Sequence, residues 1–212
     1  MAGPISKKIL LSLVIASGAL LAVAAPPSAF APDAAAGCTP PPDAEVPAVA
    51  HAIAPDPGQR VLIEYVSRRF LVASAITERM VAAAHRAAAE VGLDPLLVLA
   101  VIAVESRFNP IAESGMGAKG LMQIIPRFHL AKLEKHGGEE AVLDPESNIV
   151  VGTRILQEYV RRTGSLEAGL QQYNGASRDE FAQYSQKVMA ERSRLERVLR
   201  RTQVTAIDSQ GG

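Results

Sequence analysis

The chain of 212 residues lacks several features that small strand-rich or disulfide-linked proteins depend on: it has one cysteine, no tryptophan and 4% aromatic residues. Because Cys38 is the only cysteine, no disulfide can form within the chain. Aromatic and β-branched side chains favour strands, whereas alanine, leucine, glutamate and arginine predominate here. The composition therefore predicts a helix-dominated fold, and the hydrophobic fraction of 48% is sufficient for one globular core.

The chain also lacks an excess of charge of either sign, since 22 basic residues face 22 acidic ones. Nucleic-acid binding relies on clustered Lys and Arg, so we expect no nucleic-acid partner. No phosphate-binding loop or Gly-x-Ser-x-Gly sequence is present. The four histidines are scattered without metal-ligand spacing, at positions 51, 85, 129 and 136. We therefore expect no metal and no cofactor, and we expect a monomer.

The first 25 residues are typical of an export signal. A lysine pair at 7–8 precedes an apolar run at 9–21 and a small-x-small cleavage pattern at 22–24. This predicts an exported, periplasmic protein. Two alternatives stay open: the apolar run approaches the length of an uncleaved membrane anchor, and Ala-Ala-Gly-Cys at 35–38 resembles a lipoprotein box that would lipidate Cys38.

Composition and helix caps divide the rest of the chain into four segments. Residues 26–59 form a Pro/Ala-rich linker, and residues 60–93 an N-terminal helical extension, in which 60–72 fits either a strand or a short helix. Residues 94–202 form the globular domain, and the polar tail at 203–212 is predicted to be disordered.

Within residues 94–202, Asp-Pro pairs at 94–95 and 144–145 mark helix starts, because aspartate caps a helix and proline fits its first turn. The predicted helices run over residues 94–108, 144–162, 165–173 and 179–201, and glycines at 115, 117 and 120 make a tight loop. The last helix is amphipathic, with apolar positions at Phe181, Tyr184, Val188, Leu195 and Leu199.

Glu105 is the strongest candidate for chemistry. It follows Ile102, Val101 and Val98 by three, four and seven residues, so its neighbours on the helix face are aliphatic. Desolvation there would raise its pKa and make it a suitable acid near neutral pH. Periodicity by itself favours the other interpretation, an exposed glutamate at a helix end.

Four sequence motifs around and after Glu105 occur in the order of a known family. They read Glu-Ser-Arg-Phe-Asn-Pro at 105–110 with Ser114, Gly-Ala-Lys-Gly-Leu-Met-Gln-Ile-Ile-Pro at 117–126, Asn148-Ile149 with Gly152, and Tyr173-Asn174-Gly175. Over residues 94–200 the chain thereby resembles the soluble-lytic-transglycosylase-like enzymes, which have a lysozyme-like fold. The pairing of Glu-Ser with Gly-Leu-Met-Gln is specific, and the last two motifs are weak alone.

The resemblance implies that Glu105 is the single catalytic acid/base and that peptidoglycan glycan strands are the partner. It implies that Ser106 supports the geometry around Glu105 and that Ser114, Gln123 and Tyr173 line the glycan groove. Ser106 and Ser114 can instead bond to the helix backbone and shape a turn. Asn174 is kept as a candidate binding residue, although it and Asn148 fit bracing roles better.

The fourth motif departs from the family's usual Ala-Tyr-Asn-Ala-Gly, since residues 172–176 read Gln-Tyr-Asn-Gly-Ala. The substrate contacts of that wall are therefore left open. The implied reaction cleaves the glycan without water and yields 1,6-anhydro-muramic acid. A water-using muramidase and a non-catalytic wall-binding module remain alternatives, and association with the membrane or with cell-wall machinery is also left open.

Overall fold

The structure of the protein is a computed structural model that describes residues 54–175 and 181–208. The signal or anchor at 1–25, Cys38 with its lipoprotein pattern, the linker up to residue 53 and residues 209–212 of the predicted tail lie outside the described residues. In the described part, seven α-helices and three 3-10 turns form the fold, and strand pairing is limited to two isolated bridges. The predicted helix-dominated fold class is confirmed.

The helices follow one another with short connections. They are α1 (Pro57–Phe70), α2 (Ser74–Val91), α3 (Pro95–Glu105), α4 (Leu130–Leu133), α5 (Pro145–Thr163), α6 (Leu166–Tyr173) and α7 (Gln183–Asp208). Both predicted Asp-Pro caps are present, because the Asp94 carboxylate accepts from Leu96 N and that of Asp144 accepts from Ser147 N. None of these described helices is both long enough and apolar enough to cross a membrane.

The core is built around α3. All seven residues from Leu97 to Ala103 are buried, because this helix carries apolar side chains on every face and can be stable only inside the protein. It packs against α2 and α7, while α5 packs against α2 and α6. Glu105, the last residue of α3, is the only charged residue of this helix.

The segment that fitted either a strand or a helix is the helix α1. Asp56 caps it by accepting from Gln59 N at 2.8 Å, so the helix begins at Pro57, inside the segment predicted as linker. Leu62 and Val66 are buried, and α1 packs against α2 and α7. The N-terminal extension therefore shares one core with the domain that follows it.

Two predicted helix ends differ from the structure. The helix α3 stops at Glu105 rather than at Phe108, because Arg107 and Phe108 adopt left-handed backbone conformations with φ of 55° and 64°. The buried Phe108 ring lies 5.0 Å from that of Phe70, and this packing offsets the backbone cost of about 1–2 kcal/mol per residue.

The last helix, α7, begins later and ends later than predicted. It starts at Gln183, so Phe181 precedes it and is 72% exposed instead of belonging to its apolar face. It continues to Asp208 and so includes residues 203–208 of the predicted polar tail. The reason is that residues 203–208 contain no glycine or proline that would end the helix.

Candidate functional site

Glu105 occupies the C-terminal end of the central helix. Its side chain is half-buried. Ser106 caps the helix, and the chain then leaves the helix direction through the left-handed backbone of Arg107 and Phe108. Burial raises the pKa of Glu105 to about 7, although a hydrogen bond from Tyr184 acts in the opposite direction. Near neutral pH the group therefore exists in comparable amounts as acid and as carboxylate, which suits both proton donation and proton removal.

Tyr184 is the partner of Glu105. It lies in the first turn of α7, is 6% exposed, and its hydroxyl donates to Glu105 Oε1 at 2.5 Å. Burial and then the charge of Glu105 raise the pKa of Tyr184 far above its ordinary value, so the hydroxyl keeps its proton. The sequence identified Tyr184 only as an apolar position of the last helix. No local pattern could have revealed its role, because 79 residues separate the two partners.

Tyr173, at the end of α6, forms a wall near the same carboxyl group. Its hydroxyl donates to the carbonyl oxygen of Met122 at 2.7 Å. Burial and then the negative charge of Glu105 raise the pKa of Tyr173 well above its ordinary value, which reflects the proximity of the two groups. The structure thus brings Glu105, Tyr173 and Tyr184 together from three different helices.

The glycine loop, residues 112–124, lies between α3 and the turns that lead to α5. Gln123 has a left-handed backbone, and its Nε2 donates to the carbonyl oxygens of Ala112 at 3.1 Å and Gly120 at 2.9 Å. Ser114 Oγ accepts from Met116 N at 3.3 Å and Ala118 N at 3.1 Å. Gln123 and Ser114 therefore both hold the shape of this loop.

Asn148 of α5 joins the glycine loop to the core. Its Oδ1 accepts from Met122 N at 2.8 Å, and its Nδ2 donates to the carbonyl oxygens of Lys119 at 3.0 Å and Val142 at 2.7 Å. A Cβ on Gly120, whose φ is +76°, would lie 2.3 Å from that Nδ2, so only glycine fits there. These contacts are the bracing role that the sequence favoured for Asn148.

A cleft of about 260 Å³ opens beside Tyr173. Three of the sequence-predicted binding residues, Gln123, Tyr173 and Asn174, contribute to its lining. Its lining also includes Phe128, His129, Tyr159 and Gln172, which the sequence did not identify as binding residues. The cleft has the combination of apolar surface and a few polar groups that is typical of ligand sites.

The two predicted serines do not line this cleft. Ser106 is buried, and its hydroxyl donates to Ile102 O at 3.2 Å within the helix, which favours the helix-backbone interpretation. Ser114 is occupied by the loop contacts given above. In the part of the chain that the structure describes, no group of three or more His, Cys, Asp or Glu side chains could hold a metal ion.

Comparison with known proteins identifies the family of this chain. The family model for the transglycosylase SLT domain matches residues 82–193, which is more than half of the chain. The chain therefore belongs to the transglycosylase SLT domain family, which confirms the family predicted from the motifs. The match begins inside α2, so the family's domain includes part of the segment predicted as an extension.

Curated relatives cover the same region. The chain is 38% identical to a transglycosylase of Enterobacteria phage PRD1 over 91 residues, which are 43% of this chain and 32% of the phage protein. It is 32% identical to the membrane-bound lytic murein transglycosylase C of Histophilus somni (strain 2336) over 107 residues, 48% of this chain and 29% of that protein. The matching segment thus spans about a third of the length of these relatives.

A solved structure has the same fold. An inactive mutant of the lytic transglycosylase Slt from Pseudomonas aeruginosa superposes with a TM-score of 0.51 and 22% sequence identity. The superposition covers 56% of this chain and 24% of that protein. At this identity the likeness establishes the fold.

Proposed function

We propose that the protein is a peptidoglycan lytic transglycosylase that cleaves the β-1,4 bond between N-acetylmuramic acid and N-acetylglucosamine with Glu105 as its single acid/base. The observation that carries the proposal is the half-buried Glu105 carboxyl, with its pKa raised to about 7 and its Oε1 bonded to the Tyr184 hydroxyl. Family membership supplies the substrate class, since the relatives' names describe murein transglycosylases.

The proposed reaction uses both protonation states of Glu105. The acid donates its proton to the bridging oxygen as the bond to C1 of N-acetylmuramic acid breaks, and the acetamido group of that sugar stabilises the positive charge at C1. The carboxylate then removes the proton of the C6 hydroxyl, and O6 bonds to C1. This returns Glu105 to its acid form and gives 1,6-anhydro-N-acetylmuramic acid without consuming water.

The surroundings of Glu105 support a route with one carboxyl group. Enzymes with two carboxylates place the second within about 5–10 Å of the first, to act as nucleophile or to activate water. Glu113, the acidic residue of the glycine loop, is exposed, and its Oε1 lies 3.9 Å from Lys119 Nζ. Burial and the Tyr184 hydroxyl set the pKa of Glu105, and no second carboxylate is among the groups that shift it.

The binding residues and the location of the protein complete the proposal. Gln123, Tyr173 and Asn174 line the cleft that would hold the glycan, with Ser114 shaping the loop beside it and Ser106 supporting Glu105 from within the helix. The protein would act on the wall outside the cytoplasm. The export pattern of residues 1–25 and the relatives named as membrane-bound support this location.

Product analysis tests the proposed reaction. Purified sacculi incubated with the wild-type protein should release muropeptides that end in anhydro-muramic acid, identified by mass spectrometry. Products heavier by one water would show a muramidase instead. Binding to sacculi without release of any muropeptide, over a pH series from 5 to 8, would show a non-catalytic wall-binding module.

Replacing Tyr184 with phenylalanine should move the pH profile to higher pH. In the native protein the hydrogen bond from Tyr184 lowers the pKa of Glu105. Phenylalanine removes this bond, so the pKa of Glu105 rises and the acid form persists to higher pH. The loss of one hydrogen bond to the carboxyl group should also lower kcat by about fivefold. The measurement is kcat against pH for sacculus solubilisation.

Tyr65→Phe is the matched control for Tyr184→Phe. The Tyr65 hydroxyl accepts a hydrogen bond from Arg69 on α1, and Tyr65 is not among the groups that shift the pKa of Glu105. Its variant should keep the wild-type profile. A Tyr184→Phe profile with an unchanged alkaline midpoint would contradict the assigned role of Tyr184.

A further inference from the structure

The first turn of α7 carries Tyr184, the partner of Glu105, and begins without a capping side chain of its own. The first backbone bond of the helix runs from Gln186 N to the carbonyl oxygen of Ala182 at 3.0 Å, so Ala182 occupies the N-cap position. Alanine has no side-chain oxygen to accept from the free N–H groups of this turn. Ala182 also has a left-handed backbone, with φ of 47°, which is uncommon for residues other than glycine. The helix therefore lacks the usual local cap.

Gln171 of α6 supplies the missing cap. Its Oε1 accepts from Ser185 N at 3.0 Å, and Ser185 is the third residue of α7, where a capping side chain normally acts. Both residues are buried, with 5% of Gln171 and 3% of Ser185 exposed. A buried N–H group without a partner costs free energy, so this hydrogen bond constrains where the first turn of α7 lies.

The cap and the hydrogen bond to Glu105 belong to the same turn of helix. Tyr184 directly precedes Ser185, so the position of the Ser185 backbone determines where the Tyr184 side chain begins. The Tyr184 hydroxyl donates to Glu105 Oε1, and such a bond weakens steeply when its geometry is lost. The helix α6 therefore contributes to the site twice, because Tyr173 forms its wall and Gln171 holds the turn that carries Tyr184.

We propose that Gln171 is a positioning residue for the acid/base: by capping α7 from α6, it keeps the Tyr184 hydroxyl on Glu105. Gln171 is not among the residues that line the cleft, so it acts through Tyr184 and not on the glycan. This inference rests on the proposed function, because it gives Gln171 a part in preparing Glu105 for proton transfer.

Titration of Glu105 in the full-length chain tests the inference without relying on turnover. Methionine has nearly the shape of glutamine but offers only a weak acceptor to Ser185 N. Gln171→Met should therefore loosen the bond from Tyr184 and raise the pKa of Glu105, since that bond lowers it in the native protein. The measurement is carbon-13 NMR of the glutamate carboxyl carbons against pH, with the Glu105 signal assigned by its absence in Glu105→Gln.

Double substitutions separate positioning from a purely structural role. If Gln171 acts through Tyr184, then Tyr184→Phe should raise the pKa of Glu105 in the wild-type background and add little in the Gln171→Met background. Gln171→Glu keeps an oxygen that accepts from Ser185 N, so Tyr184→Phe should have its full effect in that background. If Gln171→Met does not fold, the Gln171→Glu background decides, and the absence of a Tyr184→Phe effect there contradicts the inference.

Gln186→Met is the matched control. Gln186 is exposed, and its Nε2 donates to the carbonyl oxygen of Phe181 at 2.8 Å next to the same turn, so its variant should leave the pKa of Glu105 unchanged. Gln171→Met should also lower kcat for sacculus solubilisation by about twofold to fivefold with KM unchanged.

Three results would overturn the inference: an unchanged pKa of Glu105 in Gln171→Met, a full effect of Tyr184→Phe in that background, or an equal rise of this pKa in Gln186→Met. The expected rise in a protein that releases no muropeptides would support the inference while the proposed cleavage failed.

Discussion

Replacing Glu105 with glutamine is expected to abolish release of anhydro-muropeptides and, at the same time, to stabilise the fold above pH 7. The loss of activity should be at least about 10²- to 10⁴-fold, which is what a general acid/base contributes, and here one group would serve both steps. Glutamine keeps the size of the side chain and can still accept from the Tyr184 hydroxyl. The measurement is muropeptide release from sacculi at pH 6.

The gain in stability follows from the raised pKa of Glu105. Its value is about 7 in the folded protein against 4.5 when unperturbed, so the folded state holds the proton more tightly than the unfolded state. The contribution of this group to stability is therefore greatest below pH 4.5, falls between pH 4.5 and 7, and stays low above pH 7. The cost of burying the charge at pH 8 is about 3 kcal/mol, and glutamine avoids it.

Thermal or denaturant unfolding of both proteins at pH 5 and pH 8 measures this effect. The advantage of Glu105→Gln should be small at pH 5 and near its maximum at pH 8. Glu113→Gln is the matched control, because that side chain is exposed and should give neither effect. Equal stability of Glu105→Gln and wild type at pH 8, or full activity of the variant, would contradict the assignment.

Replacing Asn148 with alanine should cause the largest loss of stability of any substitution proposed for this chain. Asn148 is 1% exposed and makes three hydrogen bonds, to Met122, Lys119 and Val142. Alanine would leave one N–H and two carbonyl groups without these partners inside the protein. At about 1–3 kcal/mol for each unsatisfied group, with partial relaxation, the free energy of unfolding should fall by about 4 kcal/mol.

Urea unfolding at pH 6 measures the loss at Asn148, and Asn109→Ala is the control. Asn109 makes one exposed hydrogen bond, from Ile111 N at 3.1 Å, so its variant should lose no more than about 1 kcal/mol. Because Asn148 also fixes the glycine loop, its variant should lose activity at temperatures where it is still folded. A loss of stability no larger than that of Asn109→Ala would show that the loop is held by other contacts.

Local signals in the sequence predicted the helices well and their ends less well. Aspartate followed by proline located the starts of α3 and α5, because capping depends only on adjacent residues. The end of α3 was wrong by three residues, since Arg107 and Phe108 leave the helix through left-handed conformations that distant packing against Phe70 stabilises. The sequence of α1 fits either a strand or a helix, and its packing against α2 and α7 decides in favour of the helix.

For the site, the sequence determined the family, the helix-dominated fold and the position of the candidate acid at Glu105, because motif order and aliphatic spacing are properties of neighbouring residues. Only the tertiary structure decided that Tyr184 bonds to Glu105, that Asn148 fastens the glycine loop, and that Phe128 lines the cleft. The first two of these contacts join residues 79 and 26 positions apart, and the place of the third in the cleft depends on how distant helices pack. Such pairings arise from the packing of whole helices, which no local pattern of side chains specifies.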